Sequence, residues 1–189
     1  MDREDLDARL DRVLVGGLER RPIVVVDHDP RWAGRFRAER GRIAGALGAN
    51  ALRIDHIGST AVPGLAAKPI VDILVVVEDV EDDESEGPRL ENAGYLLRVR
   101  EPGHRMYRTA DLGVHVHLWA APDEIRRHLL FRDWLRVDGA DRRTYESVKR
   151  GLAEREWDDM NHYARAKDAV VADIMVRAEA WAARTTWAP

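Results

Sequence analysis

Apolar positions along the chain follow two spacings, and the switches between them outline the elements. Over residues 2–20, Leu6, Leu10, Val13, Leu14 and Leu18 recur every three to four residues, which predicts an amphipathic helix packing one stripe. Ile23 to Val26 reads as a short strand. Asp29-Pro30 then opens a helix reaching about Leu47, since Asp can cap and Pro is tolerated in a first turn. Trp32 on that helix is expected in the core. From Leu52 the spacing shortens. Leu52, Ile54 and Ile57 precede a loop, and the β-branched run from Ile70 to Val77 is too short for a helix, so it reads as a buried strand. Residues 87–94 predict a short helix capped by Gly94. Tyr95–Val99 and His104–Thr109 predict strands joined by a turn at Glu101-Pro102-Gly103, with another strand at Val114–Trp119. Beyond Pro122 the helical period returns over residues 123–136, 141–154 and 158–184, and the last residues read as a tail that is frayed or loosely docked.

This order predicts a mixed sheet with helices mainly on one side and a C-terminal helical portion, an α+β arrangement. We divide it into an N-terminal packing helix (1–20), a core (21–120) and C-terminal helices on the same core (121–189), forming one unit. With 189 residues, 45% of them hydrophobic, the chain can bury a core of that size. The net charge of −4 provides no broad basic field and argues against nucleic acid as a partner. Cysteine is absent, which excludes disulfides, thiolate metal sites and a cysteine nucleophile. The N-terminus is too charged for a signal peptide and no apolar run reaches a membrane span, so a soluble cytoplasmic protein is the default expectation. A homodimer is compatible with the sequence.

Candidate chemistry concentrates between the two central apolar runs. Gly58, Ser59 and Thr60 can cradle an anion through backbone N–H groups and hydroxyls; the plain alternative is a tight turn that needs a glycine. His56 precedes this turn. Lys68 follows it and brings a positive charge, unless it is an ordinary loop lysine. Asp72 lies inside the following strand, where a carboxylate needs a partner, a metal or a site mouth. Alternation puts Asp72, Leu74 and Val76 on one face, and His115 and His117 together on one face of a later strand. If those strands are neighbours, Asp72 and the histidines form a metal or acid–base cluster. His104 and Arg105 are weaker candidates. On the C-terminal helices, Arg132, Tyr145, Lys149, Tyr163 and Lys167 share stripes with apolar residues. Buried cations must be paired or face a cavity, so these residues predict an anion cleft, with snorkelling lysines as the plain alternative. The acidic run at 78–86 reads as a solvated loop.

One stretch also carries a resemblance. GSTAVPGLAAKPIVDI, from Gly58 to Ile73, resembles the signature of the GrpB family, within the nucleotidyltransferase superfamily. DPRW at 29–32, HVHLW at 115–119, FRDWLR at 131–136, Tyr145-x3-Lys149 and Tyr163-x3-Lys167 resemble further family positions, extending the likeness over about residues 22–178. His28 stands where the family pattern has an aromatic residue, usually tyrosine. The resemblance implies a nucleotidyltransferase-like α/β fold with a Gly-Ser turn and an Asp-x-Asp strand. Here the second acid is replaced by Leu74, so this strand does not encode a two-metal site. The implied function is an enzyme binding a nucleotide or another anionic small molecule, with nucleotidyl or phosphoryl transfer. Asp72 and His117 would be its catalytic pair, and Asp72, His115 and His117 would hold one divalent Mg, Mn or Zn ion. The implied ligand contacts are His56, Gly58, Ser59, Thr60, Lys68, Arg132, Tyr145, Lys149, Tyr163 and Lys167. The alternative is a non-catalytic binding or chaperone-like module, related to the domain fused to dephospho-coenzyme A kinases.

Overall fold

The computed structural model describes residues 3–189. Five strands form one mixed sheet: β1 (Arg53–Ile57), β2 (Val71–Val76), β3 (Tyr95–Glu101), β4 (His104–Thr109) and β5 (Val114–Trp119). Their spatial order is β1-β2-β5-β4-β3. Only β2 and β5 run parallel, with Asp72 opposite His115 and Leu74 opposite His117. The other neighbouring pairs are antiparallel.

The alternation of β2 and β5 decides what covers each face. Val71, Ile73, Val75, Val114, Val116 and Leu118 point to one side, against Trp32, Ile43 and Leu47 of α2 (Arg31–Leu47) and Leu90 of α3 (Gly87–Asn92). Ile73 and Val116 are fully buried there, and burying such a side chain contributes roughly 1.5–3 kcal/mol. The opposite face is not left bare, contrary to the one-sided arrangement expected from the sequence. Ile57 and Leu74 point that way, and Leu129 of α4 (Pro122–Val137) closes over them. Helix α4 continues into α5 (Gly139–Ala153), whose start is capped by Asp138 accepting from the Asp141 N–H.

Three further elements differ from the sequence expectation. The N-terminal helix, α1 (Arg3–Val13), ends well before residue 20, and Asp2 of the expected span lies outside the described residues. Leu14 instead pairs with Val99 at the sheet edge, and Gly16 and Gly17 take positive φ of 88° and 73°, which turns the chain away from a helix. The expected strand at Ile23–Val26 reduces to a single bridge between Val26 and Ala67. The expected helix at 158–184 is broken into α6 (Met160–Arg165) and α7 (Asp168–Thr185), with Ala166 and Lys167 in the turn. That break sends the Lys167 side chain back over Tyr163, 4.8 Å from its ring centre. The acidic run at 78–86 is only partly solvated. Glu81 and Asp83 each hold Arg105 at 2.9 Å, because that guanidinium is buried and needs counter-charges. Among the described residues, no helix is long and apolar enough to cross a membrane.

Candidate functional site

The turn after β1 is built around Gly58. Its φ is +68°, and a Cβ there would run into the Asp72 carboxylate, so only glycine lets this backbone lie against that side chain. Ser59–Ala61 then forms one 3-10 turn. The Thr60 hydroxyl donates to the Ile70 carbonyl at 3.1 Å. With that proton used, His56 Nε2, 3.0 Å away, must be the donor to Thr60 Oγ1. The His56 ring stacks on Phe36, and burial pushes its pKa down to about 4, which keeps it neutral at neutral pH. The C-terminal helices hold the turn from the other side. Arg136 donates to the Ala61 carbonyl from Nε at 3.0 Å and Nη2 at 2.9 Å. Lys149 donates to Ser59 Oγ at 3.0 Å and to the Ala66 carbonyl.

Beside this turn, the parallel pairing of β2 with β5 gathers three candidate ligands. One donor atom each from Asp72, His115 and His117 lie within 4.8 Å of one another. Asp72 Oδ1 is 3.4 Å from His115 Nδ1 and 3.6 Å from His117 Nε2. Burial pushes the Asp72 carboxyl up, but the two imidazoles outweigh it and hold the group well below the usual carboxylate range. One carboxylate with two imidazoles is a donor set for a single divalent ion. The position two residues on from Asp72 is closed to such chemistry, since Leu74 is fully buried against Ile57 and Leu129. His128 of α4 approaches from above, its ring 6.4 Å from that of His117, and burial pushes its pKa down to about 3.

The same cavity, about 550 Å³, has a basic wall. Lys68 and Lys167 place their ammonium groups 5.1 and 4.8 Å from the centre of the Tyr163 ring, and Lys149 lies 4.7 Å from that of Tyr145. Burial, then the Lys167 charge, pushes Lys149 down to about 7 and Lys68 to about 8; burial lowers Lys167 too. Among the described residues, no carboxylate forms an ion pair with any of the three, and the buried Tyr163 hydroxyl has no hydrogen-bond partner. Clustered lysines with depressed pKa values and a spare hydroxyl fit an incoming anion better than they fit water.

The structure therefore brings Gly58, Ser59, Thr60, Lys68, Asp72, His115, His117, Tyr145, Lys149, Tyr163 and Lys167 to one cavity. Two expected contacts lie elsewhere. Arg132 does not converge with the lysines: its Nη1 donates to the His56 carbonyl at 3.1 Å and to Asp55 Oδ1 at 3.3 Å, and its Nε to Asp133 at 2.7 Å. His56 points under the turn, as its bond to Thr60 requires. Both support the turn rather than line the cavity. Sequence reasoning passed over Glu101, which lies in an apparent turn yet contacts His104 at 3.0 Å. It also missed the segment after α1, where Glu19 forms a paired contact with Arg108 at 2.8 and 2.6 Å and walls the cavity. No local spacing signals either one, since both depend on long-range pairing.

A mixed five-stranded sheet flanked by helices, with a Gly-Ser turn and a carboxylate on the next strand, defines a nucleotidyltransferase-like fold. The likeness extends to the crystal structure of Cid1 poly(U) polymerase bound to MgATP, with a TM-score of 0.50 over 80% of this chain and 47% of that one; at 10% identity this concerns the fold alone. The chain belongs to the GrpB protein family, whose sequence profile matches residues 22–177. A UPF0157 protein of Halalkalibacterium halodurans is 46% identical over 180 residues, covering 92% of each chain. The crystal structure of the conserved protein GrpB from Enterococcus faecalis matches with a TM-score of 0.74 and 35% identity, covering 84% of this chain and 99% of that one. A dephospho-CoA kinase of Mycolicibacterium paratuberculosis is 32% identical over 203 residues, and the match covers 50% of its length.

Proposed function

We propose that this protein binds a nucleotide or a closely related phosphorylated small molecule in the cavity and transfers a nucleotidyl or phosphoryl group. The observation carrying this reading is the meeting, in one cavity, of a carboxylate–dihistidine cluster and three lysines that have no ion-pair partner among the described residues. Phosphate oxygens would take the Lys68, Lys149 and Lys167 ammonium groups and the Ser59 and Tyr163 hydroxyls. Asp72, His115 and His117 would hold one divalent cation, which when bound neutralises charge on the transferring group. Asp72, ionised at neutral pH, and His117 would be the residues next to the reacting atoms. The cavity wall from the N-terminal segment would limit water around them.

Leu74 supports a second reading, a non-catalytic binding module. A fully buried leucine replaces the second metal-binding acid, and a dephospho-CoA kinase carries a related segment. The test is thermal unfolding of the wild type and of Asp72→Asn against nucleotides and coenzyme A precursors, each with and without Mg²⁺, Mn²⁺ or Zn²⁺. A ligand at a hundred times its Kd stabilises by roughly 2.7 kcal/mol. A metal-dependent shift lost in Asp72→Asn supports the enzyme. A nucleotide shift that ignores both the metal and Asp72 supports the binding module, and no shift with any phosphorylated ligand refutes both.

A further inference from the structure

The strand register that gathers Asp72 and His115 continues across the sheet to β4. There Arg108 pairs with His115, on the side away from Asp72. One strand further, the β3–β4 register shifts between Leu97 and Val99, so Arg98 is the extra residue of a bulge, a device that re-aims a side chain. Arg98 and Arg108 both line the cavity, together with Arg21 from the segment after α1. Lys149 instead reaches Ser59, in the turn whose Gly58 lies against Asp72.

One carboxylate serves these arginines. Arg108 donates to Glu19 fork against fork, from Nη1 to Oε2 at 2.8 Å and from Nη2 to Oε1 at 2.6 Å, and Arg21 Nη2 lies 3.0 Å from Oε2. The hydrogen bonds from Arg108 hold the Glu19 carboxyl down to about 2, so it stays ionised. Arg98 is only 5% exposed, yet its side chain donates to the Val15 carbonyl at 2.6 Å and, among the described residues, forms no ion pair. Burial disfavours its charge, and the nearby Glu19 charge is the main support for it. A guanidinium, unlike the wall lysines, does not shed its proton, so this corner of the cavity requires an anion at every working pH.

Glu19 lies on a loop, since residues 15–21 form neither helix nor strand. Its side chain is partly exposed, and its backbone is held separately, the N–H donating to Asp159 Oδ2 at 2.7 Å. The carboxylate can therefore rotate away while the segment stays docked. That rotation leaves three guanidiniums at the cavity without the carboxylate they share.

We propose that Arg98 and Arg108, with Arg21, form a second anion subsite of the cavity that takes a carboxylate or phosphate group of a small-molecule ligand, and that Glu19 fills it in the unliganded protein as a built-in competitor. The subsite is separate from the lysine wall and needs no metal. In a transfer reaction it holds the anionic group of the second reactant, and that assignment alone rests on the transferase reading above.

The test is calorimetric titration of sulfate into the full chain at pH 6, for the wild type, Glu19→Ala, and Glu19→Ala combined with either Arg108→Met or Lys167→Met. The expected result is one more sulfate per chain in Glu19→Ala than in the wild type. Its apparent Kd should be at least about tenfold tighter than in the wild type, because a site filled by its own competitor binds in proportion to the fraction left open. The added sulfate should survive Lys167→Met and be lost with Arg108→Met. Acetate and inorganic phosphate, titrated into Glu19→Ala, then tell a carboxylate ligand from a phosphate. Equal sulfate counts in the wild type and Glu19→Ala overturn the proposal, and so does an added sulfate that survives Arg108→Met. Should Glu19→Ala not fold, Glu19→Gln, which keeps the shape and one acceptor for Arg108, makes the same comparison. A wild type that binds no sulfate beside a Glu19→Ala variant that binds one removes the lysine wall as an anion site and leaves this subsite standing.

Discussion

Anion binding to the basic wall should draw protons from solution, and the amount follows from the lysines. Lys149 sits near pKa 7 and Lys68 near 8, because burial and the Lys167 charge disfavour their charged forms. A bound anion restores the charged forms. At pH 8 an empty site with these values carries about 0.1 of a proton on Lys149 and about half on Lys68, so full recharging takes up about 1.4 protons. At pH 6 both are already charged and the uptake falls to roughly 0.1. Affinity should therefore rise as pH falls from 9 to 7, by about 25-fold per pH unit near pH 8, and level off below pH 6. The sign for the empty protein runs the other way. A lysine with a lowered folded pKa costs stability fully below about pH 7, and that cost fades as pH rises towards the ordinary value of 10.5. The assay is calorimetric titration of sulfate, which does not titrate in this range, in buffers of different ionisation enthalpy at pH 8 and pH 6. A buffer-independent heat at pH 8, or net proton release, would refute the assignment of the lysines as the anion site.

Other predictions rest on single contacts. Gly58→Ala should cost about 1–3 kcal/mol in urea unfolding, since the new Cβ meets Asp72 and the positive φ disfavours alanine; wild-type stability would show that the turn is not pinned there. Leu74→Asp should not create a second metal ligand but should destabilise by more than about 3 kcal/mol, because the charge would be buried among Ile57 and Leu129. Near-native stability with a gain of metal binding would contradict the packing. Arg132→Met should lose roughly 1.5–3 kcal/mol through its missing bonds to His56 and Asp55, yet leave sulfate affinity within a few-fold. Lys167→Met should do the reverse in the same two assays, abolishing sulfate binding with stability unchanged or improved.

The sequence by itself carried the family, the five strands of the sheet and several of the polar residues that line the cavity. Those features have local causes. The β-branched run at 70–77 can only be a buried strand, and the period of the C-terminal half can only be helical. Asp72 inside an apolar strand demands a partner wherever that strand is placed. The burial of Lys149 and Lys167 was legible too, since lysines on apolar helix stripes must find counter-charge or a cavity.

Convergence was decided by the tertiary structure. Arg132 and Lys149 occupy equivalent stripes in the sequence, but α4 lies over β1 and turns Arg132 to the His56 carbonyl, while α5 turns Lys149 to Ser59. The break before α7 sends Lys167 into the cavity, although an unbroken period would have carried it along the helix. Glu101 reads as part of a turn, and only the β3–β4 hairpin sets its carboxylate against His104. Periodicity reports which face of its own element a side chain occupies. What that face meets is set by crossing angles and long-range pairing, where the energy lies in contacts between residues far apart in the chain.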